Sequence, residues 1–172
     1  MSKTTKTALS LFGVLLLAGC GLGAERAITE LKATPATGDT FTQTLAAEYL
    51  ALAEKEWRLV DYKDSEYFAT KGIEAARGTA VQPTALAERT LGSEFATDAA
   101  DLRQQTVDYI ARNQGSDPVN AAKAQALFDC TVEEMEEPWQ VAAQSYWLSG
   151  CRDALVALLG EGMPATIVLS SD

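Results

Sequence analysis

Two kinds of side chain stand at spacings that can do chemistry here, carboxylates and sulfurs. Asp129, Glu133, Glu134, Glu136 and Glu137 lie within nine positions of one another. On a helix, 129, 133 and 137 share a face, as do 133 and 136. Such carboxylates can hold a hard cation such as Ca2+, or act as a general acid and base. The more ordinary expectation for a charge run is a solvated helix face, and that is the expectation here. The chain has no histidine. This removes Ser-His and Cys-His nucleophile pairs and His-ligated metal, and it breaks the Glu-x-x-His pattern of helical di-iron sites. No metal, no cofactor and no catalytic residue is therefore expected.

The cysteines are Cys20, Cys130 and Cys151. Cys20 closes a distinctive opening: Lys3 and Lys6, an uncharged apolar run from Ala8 to Ala18, then Leu17-Ala18-Gly19-Cys20. The run is about half the roughly 20 residues a membrane-spanning helix needs, which is the layout of a secretory signal. Its ending resembles the lipobox of bacterial lipoproteins, an aliphatic residue and two small ones before cysteine. The resemblance implies that Leu17, Ala18 and Gly19 are read by the lipoprotein signal peptidase. It also implies that Cys20 Sγ carries a diacylglycerol and that the new amino terminus is acylated. Several acyl chains anchor firmly, because each buried CH2 contributes about 0.8 kcal/mol. Gly21 in place of Asp after the cysteine implies, by the sorting rule of enteric bacteria, an outer-membrane location on the periplasmic side. The alternative is an ordinary signal and a released soluble protein.

With Cys20 acylated, Cys130 and Cys151 remain in a compartment where disulfides persist, so they are expected to pair. Two free buried thiols are the other reading. Once Lys3 and Lys6 leave with the signal, 12 basic side chains face 24 acidic ones. Such a surface excludes nucleic acid as a partner and leaves membrane attachment to the lipid.

The elements that position these groups read as helices throughout, an all-α bundle of about five. Residues 1–19 are the signal, 20–40 a lipidated flexible tether, 41–160 the helical domain and 161–172 a tail. The tether reading rests on Gly, Ala, Thr and Pro35, with a reach near 25 Å for about 20 residues. Phe41, Leu45, Tyr49, Leu52 and Leu59 mark a helix over 41–60, capped by Asp39 or Thr40. A second starts at Asp64 or Ser65, carries Phe68, Ala69, Gly72, Ile73 and Ala76, and ends at Gly78. Small residues at Ala53, Ser65, Ala69 and Gly72 let the two approach closely. Residues 78–92 form a loop, with a short helical turn allowed over 84–89. A third helix runs from Ser93 through Phe95, Leu102, Val107 and Ile110 to Arg112. The fourth opens on Ser116-Asp117-Pro118, proline standing where its missing N–H is harmless, and carries Val119, Ala122, Ala126 and Cys130. The last spans Ala142 to Leu159 with Leu148, Cys151, Leu155 and Leu158 inward. A turn near Gln140 makes the last two a hairpin whose facing stripes bring Cys130 and Cys151 together. Ala165 to Leu169 has the pattern of one strand.

Several segments resemble the amino-terminal helical region of OmpA-family lipoproteins from alphaproteobacteria. They are Glu54-Lys55-Glu56 before Trp57, Asp64, Tyr67-Phe68-Ala69-Thr70-Lys71-Gly72, Phe128-Asp129-Cys130, Trp139-Gln140 and Cys151-Arg152. The resemblance implies a cell-envelope role. The Asp and Arg motif by which the carboxy-terminal domain of that family grips peptidoglycan is absent, so peptidoglycan binding is not implied. The expected function is a non-enzymatic envelope lipoprotein acting in structure or in contact with an envelope protein partner. The alternatives are a periplasmic small-ligand or peptide binder, with Trp57, Tyr62, Tyr67 and Phe68 as an aromatic groove, and an enzyme using paired carboxylates. Trp139, Tyr146 and Trp147 are read as packing or as a partner anchor.

Overall fold

The computed structural model describes residues 21–136 and 150–161, and these are all-helical. The expected signal, the cysteine expected to carry lipid, the turn expected near Gln140, Trp139, Tyr146 and Trp147, and the strand expected over 165–169 lie outside the described residues.

The first helix is where the sequence reading fails. Residues 21–33, expected to be tether, form a helix, α1. Ala24, Ile28 and Leu31 recur at four and three residues, so they share one face, and all three are buried. The Glu30 carboxylate takes a hydrogen bond from Arg77 at 2.8 Å, and Lys32 pairs with Glu54 at 2.6 Å. After α1 the chain turns at Pro35, where the Thr37 amide donates to the Ala76 carbonyl at 2.9 Å. The segment is thus part of the domain.

Helix α2 spans Thr40–Leu59, and the Asp39 carboxylate caps it by accepting from the Thr42 amide at 2.8 Å. It ends at Val60, whose φ of 67° lets its N–H reach back to Glu56 and Trp57. Helix α3, Tyr62–Ala76, starts two residues earlier than expected because Asp61 supplies the cap, accepting from the Asp64 amide at 3.0 Å. Only Val60 and Asp61 separate the helices, so they lie antiparallel and pack along their length. The small residues do what their size suggests. The Ser65 hydroxyl donates to the Ala53 carbonyl at 2.9 Å, and Gly72 admits Leu31, which would stand 2.5 Å from a Cβ there. Gly78, at φ 83°, makes the stop after α3.

Residues 79–95 form a loop with a 3-10 turn at Leu86–Glu88. Helix α4 spans Ala96–Asn113; its flanking residue is Phe95, without a side-chain cap, and Ser93 lies outside it. Helix α5, Pro118–Glu136, begins as expected, Asp117 accepting from the Asn120 amide at 3.1 Å. Helix α6, Gly150–Glu161, inserts Leu155 and Leu159. Its Arg152 grips Asp98 of α4 through two hydrogen bonds of 2.9 and 3.0 Å.

Two cores share α5 as a wall. One joins Ile28, Leu31, Phe41, Leu45, Tyr49 and Phe68 to Ala121, Ala122 and Ala126; the other joins Leu102 and Tyr109 to Phe128, Val132, Leu155 and Leu159. Full burial of side chains such as Phe68, Leu45 and Phe128 is worth about 1.5–3 kcal/mol apiece. Because α2, α4 and α6 all pack on α5, this helix has almost no solvent face after Asn120. Only Val119, of its expected apolar stripe, remains exposed.

Candidate functional site

Cys130 and Cys151 are joined, with Cα atoms 6.0 Å apart. The Cys130, Cys151 and Glu134 donor atoms lie within 4.8 Å of one another, but sulfurs bonded to each other offer no thiolate to a metal. Cys20 and the lipobox residues Leu17, Ala18 and Gly19 lie outside the described residues, as does Glu137.

The acidic run of α5 is not a solvated face. Asp129, Glu133 and Glu134 are buried. The reason is the helix that carries them: enclosed on nearly every side, it brings its carboxylates inside, where each needs compensation.

Asp129 has the most complete set of partners. One carboxylate oxygen accepts from Lys71 Nζ at 2.5 Å and from the Tyr49 hydroxyl at 2.6 Å; the other accepts from the Thr84 amide at 2.8 Å. Lys71 also donates to the Gln82 carbonyl and the Thr84 hydroxyl, and it stands 5.1 Å from the Tyr49 ring centre. Gln125 donates to Tyr49 Oη at 3.0 Å and to the Val81 carbonyl at 2.8 Å. Burial, then the neighbouring Asp129, holds the Tyr49 hydroxyl well above its ordinary pKa, so it stays a donor. This network ties the loop over 81–84 to α2, α3 and α5.

A second cluster lies farther toward the end of α5. Arg89 donates to Asp64 at 2.5 Å and to Glu136 at 3.0 Å while stacked 4.7 Å over the Tyr67 ring centre. The Thr90 amide adds a bond to Glu136 at 3.0 Å. Glu136 is held below the usual carboxylate range by that amide and by Arg89, against the effect of partial burial. Beside them Lys55 stands 3.2 Å from Glu56, 3.5 Å from Glu134 and 3.6 Å from Cys130 Sγ. One ammonium cannot neutralise Glu56, Glu133 and Glu134 together. Burial pushes Glu134 up to about 7, with Lys55 pulling the other way. Burial, reinforced by Glu56, pushes Glu133 up to about 9, so it is neutral near pH 7.

A groove of about 580 Å³ opens on the outer side of α3, with Tyr62, Tyr67 and Lys71 on one wall and Glu88 and Arg89 on the other. The Tyr67 hydroxyl bonds Thr84 at 3.0 Å and Glu88 at 3.1 Å, and burial raises it to about 12. Only part of the aromatic groove read from the sequence forms here. Tyr62 and Tyr67 line it, Trp57 packs on Tyr62 with ring centres 4.9 Å apart, and Phe68 is fully buried. Glu133 and Glu134 are not among its lining residues; their charged neighbours are Lys55 and Glu56.

Sequence reasoning missed Lys71, Arg89, Thr84 and Gln125. The available signal was α5 itself: Ala121, Ala122, Ala124 and Ala126 spread over one broad apolar face, and Gln125 and Asp129 fall within it, so these two must find partners inside. No known family model, no curated protein and no solved structure matches this chain.

Proposed function

We propose that this protein is a lipid-anchored component of the bacterial cell envelope, held at the periplasmic side of the outer membrane. It is non-enzymatic, and its helical domain works by contact with another envelope protein. The observation that carries the reading is Leu17-Ala18-Gly19-Cys20 standing directly after a charged start and a short apolar run. Among the described residues no helix is long and apolar enough to cross a membrane, so on this reading the acyl chains supply the attachment. The groove beside Tyr62 and Tyr67 is the contact surface. The half-buried Tyr62 and Tyr67 rings suit an extended segment of a partner that brings apolar side chains. Fractionation of cells making the full chain tests the anchor: the protein is expected with outer membranes, and the Cys20→Ala variant in the soluble fraction. Equal distribution of the two would overturn it.

A second reading, a periplasmic binder of a small ligand or peptide, draws on the same groove. It predicts a rise in melting temperature with the right compound and no dependence of function on Cys20.

A further inference from the structure

One end of the domain gathers features that the bundle itself does not need. Helix α1 runs parallel to α3: Gly21 lies beside the Tyr62 ring, 3.6 Å from where its Cβ would be, and Glu30 meets Arg77 farther along. Helix α2 runs the opposite way. The start of α1, the end of α2 and the start of α3 therefore meet at one pole. The pole reads Trp57-Arg58-Leu59-Val60-Asp61-Tyr62-Lys63, with Leu22 from α1.

Among the described residues five large apolar side chains are exposed, and three of them are here: Leu22 at 59%, Leu59 at 38% and Val60 at 65%. Val60 is also the one non-glycine described residue with positive φ. A helix stop of this kind is made without strain by glycine; a β-branched residue there is a conformational outlier. This position thus accepts strain to hold an isopropyl group out in solvent. Behind it the Trp57 and Tyr62 rings pack together, and Arg58 and Lys63 flank the tip, both exposed. Aromatic rings and basic side chains around an apolar tip are what the boundary between head groups and acyl chains favours. Asp61 is occupied as the cap of α3.

We infer that this pole is a membrane-docking surface, and that its partner is the bilayer into which the Cys20 acyl chains insert. The inference rests on lipid attachment at Cys20. Given that attachment, the lipid-bearing residue is one peptide unit, about 3.8 Å, from Gly21, and α1 leaves no slack between them. The domain lies on the bilayer with Leu22, Leu59 and Val60 in the interface. Because Tyr62 belongs to both the pole and the groove, a partner segment entering the groove does so at the bilayer surface.

The test uses the full mature chain, purified from membranes and reconstituted in vesicles of phosphatidylethanolamine and phosphatidylglycerol carrying nitroxide-labelled lipid. The Trp57 contribution to fluorescence quenching is taken by difference from Trp57→Phe, and intact mass confirms acylation of every variant. The expected result is quenching of Trp57 by a label near the glycerol backbone. It should persist in about 1 M salt, where the Debye length is near 3 Å. Leu59→Asp with Val60→Asp should abolish it. Val60→Gly, which relieves the backbone and keeps the fold, should lower it by roughly half or more while raising the melting temperature. Acylated protein whose Trp57 is not quenched overturns the docking surface and leaves the anchor standing. Quenching lost in high salt also overturns it. Protein without acyl groups overturns the anchor, and this inference with it.

Discussion

Replacing Lys71 by methionine should cost more than any other single change on the surface of α3. Lys71 Nζ makes three hydrogen bonds, to Asp129, Gln82 and Thr84, and its side chain is only 10% exposed. Its removal leaves Asp129, fully enclosed, with the Tyr49 hydroxyl and the Thr84 amide as its remaining donors. Breaking a buried ion pair from one side costs about 3–5 kcal/mol, because the other charge stays desolvated. Methionine keeps most of the apolar stem, so the loss reports charge more than packing. Urea unfolding of the full chain, followed by far-ultraviolet circular dichroism, measures it. The double variant Lys71→Met with Asp129→Asn should recover a large part of the loss, since the amide has no charge to bury. A single-variant cost below about 1 kcal/mol would refute the reasoning, because that is the value of a solvent-screened pair.

Other expectations follow from the same interior. Glu133 at about 9 and Glu134 at about 7 lie above their unfolded values, so the folded state binds extra protons; their contribution to stability should be full below about pH 4.5 and be lost as pH rises through 7 and then 9. Melting temperatures across that range check this, and Glu133→Gln should flatten the upper part of the decline. Gly72→Val should push Leu31 out of its seat and loosen α1 at a cost of about 1–3 kcal/mol, visible as faster amide hydrogen exchange over residues 24–33. Cys130→Ala with Cys151→Ala opens a loop of sequence separation 21. It should cost roughly 3 kcal/mol in thermal or urea unfolding, and α6 should exchange first.

How much of this was legible in the sequence depended on how one-sided each helix is. Helices α2, α3 and α4 show their buried stripes plainly, and Asp39, Asp117 and Pro118 mark two starts by known capping chemistry. The pairing of Cys130 with Cys151 followed from parity and compartment. Helix α1 was misread because Gly21, Gly23, Thr34 and Pro35 have the composition of a linker. Its stripe of Ala24, Ile28 and Leu31 is narrow, and it gains its worth by docking against α3, where Gly72 admits Leu31. The acidic run was misread for a different reason. A run of charges normally faces water, but α5 is enclosed by three other helices, and tertiary packing decided where its carboxylates went. The partners Lys71 and Arg89 lie 58 and 47 positions from Asp129 and Glu136, and no local pattern announces pairs at that range. The groove carries the same lesson: Tyr62 and Tyr67 line it, while Phe68, next to Tyr67 in sequence, turns into the core.

The most direct test of the central claim is the intact mass of the mature protein, expressed from its own signal in a Gram-negative host. The account predicts a chain that begins at Cys20 and is heavier than its residues by a diacylglycerol and an amide-linked acyl group, with the added mass absent from Cys20→Ala. A chain without that addition, starting at any other residue, would contradict it.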